Sequence, residues 1–151
     1  MAREVFDGLI AACRAALSSA DPVAGVRAAL ARVAADPDRA LAEVPDFEGE
    51  DFVLYRGADL SVFLVRQAPN TAGPPHDHGM TAVIAMLDGV EIHRRYRRDG
   101  QRIALDREQT AAPGGVLVLA PGDVHAIANP DADPSVGVHV YLGDIVGIER
   151  T

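Results

Sequence analysis

Between residues 4 and 17 apolar side chains recur every three or four positions. Phe6, Leu9, Ile10, Cys13 and Leu17 fall on one face of a helix. Asp21-Pro22 then offers an N-cap and a first-turn proline. Val23, Val26, Leu30 and Val33 follow as a second stripe, and Asp36-Pro37 starts a short third helix ending at Leu41 or Val44. The many alanines suit close helix packing. Nothing here carries obvious chemistry, so residues 1–45 read as scaffold or as a contact with a second copy. From residue 51 the helical period disappears. Short β-rich runs cover 52–55, 60–65, 81–87, 90–96, 102–105, 116–119, 124–128 and 136–142, punctuated by Gly, Pro, Asp and Asn. Asp88-Gly89 and Asp99-Gly100 are hairpin-type turns. About eight strands at this spacing predict a sandwich or barrel. The chain, residues 1–151, therefore reads as one domain: a helical N-terminal layer over 1–45 leaning on a barrel over 51–145.

Composition narrows the partners. The 151 residues are 48% hydrophobic, enough for one sizeable core. A net charge of −8 argues against nucleic acid or an anionic membrane surface. The one basic run, His93-Arg94-Arg95-Tyr96-Arg97-Arg98, reads as a solvated strand face, with a local anion patch as the alternative. No apolar run approaches the roughly 20 residues needed to cross a bilayer. The N-terminus reads as an amphipathic helix, not a signal peptide. Cys13, the single cysteine, cannot form an internal disulfide and fits a reducing, cytoplasmic setting. Among apolar helix positions it is expected to be buried and inert.

The candidate chemistry lies in the histidines. In extended backbone, residues i and i+2 point the same way, so His76 and His78 aim together and Asp77 faces away. Such a pair can bind one metal ion, since imidazole suits iron, zinc, copper or nickel. It is also compatible with two ordinary surface histidines. A second segment, residues 115–129, is an apolar strand, a Pro121-Gly122-Asp123 turn and then His125. That places His125 at a barrel rim, where it can complete a three-histidine face.

These two segments resemble the two motifs of the cupin superfamily, a mainly β, double-stranded β-helix barrel (jelly roll). The first motif has the paired histidines and a downstream glycine, here Gly89; the second has the proline turn, His125 and Asn129. Many cupins add a glutamate ligand four or five residues after the second histidine. Those positions are Ala82 and Val83, and Glu91 lies past the turn. The resemblance thus implies three neutral imidazoles and no carboxylate. Farther on, Val138-His139-Val140-Tyr141 places His139 and Tyr141 on one face. This string resembles the cysteine dioxygenase family of thiol dioxygenases, in its bacterial small-cupin branch. There the matching tyrosine hydroxyl points at an iron site and the matching histidine orients it.

By that resemblance His76, His78 and His125 hold Fe(II), Tyr141 donates to bound oxygen or substrate, and His139 positions Tyr141. Arg56 matches a substrate-carboxylate arginine, with Arg66 and Gln67 competing for that task. Two positions depart from animal-type enzymes. Val83 replaces the cysteine that crosslinks to the tyrosine, and Gly137 replaces the serine of a Ser-His-Tyr relay. His93 is expected to be solvated, and Glu91 to be a hairpin charge or a support behind the ligands. The implied activity is oxidation of a small thiol (cysteine or 3-mercaptopropionate type) by dioxygen to a sulfinate. Two alternatives stay open: a non-catalytic metal-binding sensor module, and an isomerase or lyase using Zn, Ni or Mn. The expected partners are a thiol and dioxygen, without nucleic acid or membrane; a homodimer is left open.

Overall fold

A computed structural model describes residues 3–145. Three helices come first: α1 (Glu4–Ala16), α2 (Pro22–Ala34) and α3 (Pro37–Leu41). Both Asp-Pro signals act as expected. Asp21 accepts a hydrogen bond from the Ala24 N–H at 3.1 Å, and Asp36 accepts from Arg39 N–H at 3.3 Å. Helix α1 has no local cap. Instead Glu43, which follows α3, accepts from Val5 N–H at 2.9 Å and Phe6 N–H at 3.3 Å. A carboxylate is favourable there because the first N–H groups of a helix carry partial positive charge.

Nine strands follow: β1 (Asp51–Arg56), β2 (Ser61–Gln67), β3 (Thr71–Ala72), β4 (Ala82–Asp88), β5 (Glu91–Asp99), β6 (Arg102–Ala111), β7 (Val116–Leu119), β8 (Val124–Asn129) and β9 (Ser135–Tyr141). They form two antiparallel sheets, ordered β1-β2-β9-β4-β7 and β3-β8-β5-β6. The expected strands are present, with differences at three places. Strand β3 is too short to leave a pattern. β6 runs on to Ala111 because it pairs with all of β5. Residues 76–78 are extended but join no strand, touching the sheet only through one bridge at His76.

The inner strands β2, β9 and β4 of the five-stranded sheet are buried on both faces, which explains why 82–87 reads as a continuous apolar run. Val83, Ala85 and Leu87, with Val62, Leu64, Val138 and Val140, pack outward against Phe6, Leu9, Cys13, Val26 and Leu30 of the helices. Ala82, Ile84 and Met86, with Phe63, Leu117, Leu119 and Tyr141, pack inward. The helices therefore lie on the side of the sheet away from the barrel interior. Cys13 is buried there, and burial pushes its thiol up to about 11. Phe6 is fully buried in this layer. A Phe6→Ala change is expected to cost about 3–5 kcal/mol in urea unfolding while leaving metal affinity unaltered.

The arginine run lies on β5 with an acid beside each guanidinium. Arg94 pairs with Glu108 at 2.9 Å, Arg95 with Asp123 at 2.9 Å, Arg97 with Asp106 at 3.9 Å and Arg98 with Asp77 at 2.6 Å. The run is neutralised and, except at the mostly buried Arg95, solvated; the last pair turns Asp77 away from the histidines. No helix among the described residues is long and apolar enough to cross a membrane.

Candidate metal centre

The three expected ligand histidines meet. His76 donates its backbone N–H to the His125 carbonyl at 2.8 Å, and His125 returns the bond at 2.9 Å. A mutually bonded antiparallel pair projects both side chains to one side. His78, two residues on, joins them. Ring centroids are 4.7 Å apart for His76–His125, 4.8 Å for His76–His78 and 5.2 Å for His78–His125. Pro74 adds a second restraint: its carbonyl accepts from His76 Nδ1–H at 3.0 Å, leaving Nε2 bare.

The donor set fits a single cation. One nitrogen from each ring lies within 4.8 Å of the others. His78 Nε2 and His125 Nε2 are 3.1 Å apart. Two imidazole nitrogens, each about 2.1 Å from one ion and at right angles, are separated by about 3 Å. Among the described residues this is the one such cluster, and no carboxylate belongs to it. Ala82 and Val83 are indeed core: Ala82 faces inward opposite Tyr141, and Val83 faces the helices. Val83 therefore does not occupy a crosslinking position beside Tyr141.

His125 has no exposed surface. Burial, then the neighbouring imidazoles of His93, His76, His78 and His139, push it down to about 2. It is neutral at ordinary pH, the form that offers a lone pair to a metal. The unfolded chain takes up this proton first, at about 6.5. Metal-free protein should thus lose stability as pH falls below that value. One group contributes about 1.4 kcal/mol per pH unit, so about 2 kcal/mol is lost by pH 5. Urea midpoints at pH 7 and pH 5 check this; equal midpoints would contradict it.

One expectation is corrected behind the ligands: His93 is not solvated. Glu91, read as a hairpin charge or a support behind the ligands, has the second of these places; both are fully buried. They begin β5, and being two residues apart they share its inner face. In the register of β5 with β8, Arg95 is opposite His125 and His93 sits diagonally from it. His93 Nδ1 lies 3.0 Å from His125 Nδ1, and His93 Nε2 lies 3.0 Å from Glu91 Oε1. The two rings are within 8° of parallel with centroids 5.2 Å apart. At that N···N distance they meet edge to edge, the orientation a hydrogen bond requires. Glu91 Oε2 is 3.5 Å from His139 Nε2, an ion-pair separation. Burial works to raise the Glu91 carboxyl, but the imidazoles of His139 and His93 outweigh it and hold it well below the usual carboxylate range. The alternation Glu91-Ile92-His93 was the available signal, masked by the arginines that follow.

His139 and Tyr141 are together as expected, with His139 Nδ1 3.0 Å from the Tyr141 hydroxyl. Tyr141 also lies against His78, at 5.1 Å between ring centroids, and edge-on to Phe63. Gly137 is explained by packing. A Cβ there would stand 3.0 Å from Met86 Sδ and 3.2 Å from the Ala85 carbonyl.

His76, His78, His139 and Tyr141 open onto one cavity of about 590 Å³, a usual size for a small-molecule site. Its wall is otherwise Val65, Ile127, Gln67 and the 71–74 turn, with Glu50 and Asp51 at its edge. Arg56 is not in this wall, correcting its expected role. Its fork is closed on Asp144, at 3.0 and 3.2 Å. Nor is Arg66 there: it donates to the Phe47 carbonyl at 2.6 Å and lies 4.2 Å over the Phe47 ring. Both arginines use their planar donor fork on the chain itself. Gln67 alone of the three candidates lines the cavity.

No protein-family model matches the chain. Solved structures show the fold. A cupin superfamily protein from Desulfitobacterium hafniense superposes with a TM-score of 0.53 at 15% identity, covering 68% of this chain and 86% of that one. A protein from Bacillus halodurans gives 0.56 at 14% identity, covering 64% and 72%. One from Thermus thermophilus gives 0.52 at 20% identity, covering 68% and 93%. These likenesses show the double-stranded β-helix barrel fold, on which the N-terminal helices of this chain pack against one face of the five-stranded sheet.

Proposed function

We propose that this protein is a metal-dependent oxidoreductase of the thiol dioxygenase type, using Fe(II) to convert a small thiol to its sulfinate. The observation that carries the reading is a three-imidazole cluster, two of whose rings line the cavity, beside Tyr141 in the same wall. His76, His78 and His125 would hold the ion. Three neutral ligands on one face leave its charge uncompensated by protein and positions open for substrate. Iron held there would supply the redox chemistry for the reaction of dioxygen with the thiol.

The overall change is RSH + O₂ → RSO₂⁻ + H⁺. Both oxygen atoms enter the sulfinate, and the electrons lost by sulfur are those gained by dioxygen, so no other reductant is required. The chain's residues orient and shield. Val65 and Ile127 keep the wall apolar, Tyr141 meets the polar part of the reacting group, and His139 holds Tyr141 in place. Fixing that geometry is where a protein contributes most to such a reaction.

Arginine anchoring of a substrate carboxylate is not part of this reading, because no arginine lines the cavity. A thiol that needs no such anchor fits better. Oxygen uptake by iron-loaded protein should be faster with cysteamine than with 3-mercaptopropionate, with cysteine between them. No uptake with any of the three, in a sample shown to hold iron, would refute the activity and leave a metal-binding module.

A further inference from the structure

We infer that Glu91 is the positioning residue of this centre: through two imidazole arms it dictates which nitrogen of His125 faces the metal and which way the Tyr141 hydroxyl points. The inference rests on the metal site and not on the identity of the reaction. Its carriers are the Glu91–His93–His125 chain at 3.0 Å per link and the Glu91–His139–Tyr141 chain at 3.5 and 3.0 Å.

The proton directions follow from donor and acceptor capacity. An ionised carboxylate only accepts, so the nitrogen facing it, His93 Nε2, carries a hydrogen. A neutral imidazole protonated at Nε2 is bare at Nδ1. His93 Nδ1 therefore accepts, and His125 Nδ1 must donate. That leaves the lone pair of His125 on Nε2, the atom 3.1 Å from His78 Nε2 in the ligand cluster. Reversing the His93–His125 link would need either a proton on the buried carboxyl or a second proton on His93, and ring ¹⁵N shifts tell these apart from the stated pattern. Metal-ligating histidines usually donate their second nitrogen directly to a carboxylate or carbonyl. Here an imidazole is interposed, and hydrogen bonds in series polarise one another. The carboxylate absent from the ligand set is present one residue deeper, and its charge reaches the ligand through His93.

The second arm reads the same way. His139 Nε2 stands 3.5 Å from Glu91 Oε2, an ion-pair separation and not a formed hydrogen bond; the carboxylate favours the hydrogen on that nitrogen, which leaves Nδ1 to accept from the Tyr141 O–H at 3.0 Å. The phenol O–H then points toward His139. Gly137 closes the alternative: with Met86 Sδ against it, the strand position two before His139 has no room for a side chain that could support that ring. The support comes from β5 instead.

Ring ¹⁵N NMR of the metal-free protein distinguishes a bare imidazole nitrogen from a protonated one. The expected pattern is hydrogen on Nε2 alone of His93, Nδ1 of His125 and Nε2 alone of His139; the opposite tautomer, or hydrogen on both nitrogens, at His93 or His139 would overturn the corresponding arm. The metal readout uses Co(II) against a competing chelator. His93→Leu should bind about 10- to 100-fold more weakly, with altered visible absorption. His93→Asn, whose side-chain oxygen can stand near the lost Nδ1, should recover most of the affinity. A purely packing role predicts no such rescue, so equal weakening of both variants refutes the relay, as does parental affinity in His93→Leu. If both His93 variants fail to fold, Glu91→Gln decides: it should weaken Co(II) binding, and parental affinity overturns the proposal. None of these measurements depends on turnover, so they can fail while the proposed reaction stands, and the reverse.

Discussion

A His78→Ala protein should bind Fe(II), or Co(II) in its place, about a hundred- to a thousand-fold more weakly than the parent, and consume no oxygen with any thiol. Zinc sites in small peptides yield roughly 10–16 kcal/mol, shared by their four ligands, so one ligand accounts for about 3–4 kcal/mol. That is two to three decades in Kd. The loss should exceed the average here, because only three protein ligands form the cluster. His78 is the cleaner choice for this test. Removing His125 would also strand His93 and Glu91, both fully buried, and would mix metal loss with unfolding. Chelator competition on folded protein measures the effect. A His78→Ala variant with parental affinity would show that the ion, if any, lies elsewhere.

Tyr141→Phe should separate chemistry from binding. Metal affinity is expected to stay within about threefold, because the ring that packs against His78 is retained. Turnover should fall by about 10²-fold or more, the usual scale for a well-placed hydrogen-bonding or proton-handling group. A cost in stability accompanies it. Loss of the hydroxyl leaves His139 Nδ1 buried with its partner gone, about 1–3 kcal/mol. Unchanged turnover in a metal-replete sample would remove Tyr141 from the mechanism and leave it as a wall residue.

Local rules accounted for much of this structure. Asp21-Pro22 and Asp36-Pro37 start helices because their chemistry acts within one turn. His76 and His78 converge because extended backbone has period two, and His139 and Tyr141 for the same reason. What stayed hidden depends on partners far along the chain. Arg56 and Asp144 are 88 residues apart, and nothing near Arg56 shows that its fork is taken. Glu91 and His93 carried a local signal, but whether they face core or solvent was decided by β8, on the other side of a ten-residue hairpin strand. Polar residues facing inward also contradict the habit of reading charge as surface. That habit fails where buried groups find partners in one another, as Glu91 Oε1 and His93 do. The continuous apolar run of β4 was legible as a strand, but its two-sided burial required knowing that the helices cover its far face.

Strand β9 has one further consequence. It is the last strand among the described residues, yet it occupies the middle of its sheet, between β2 and β4. Until it is inserted, β1-β2 and β4-β7 are two separate ribbons with no common neighbour. Pairings of such long sequence separation form slowly, because loop closure must precede any gain from contact. His139 and Tyr141 travel on that strand, so during synthesis the ligand histidines emerge well before the groups that govern them. An incomplete chain carries all its candidate metal-binding side chains and still lacks a finished pocket; threading the closing strand is what arms the centre.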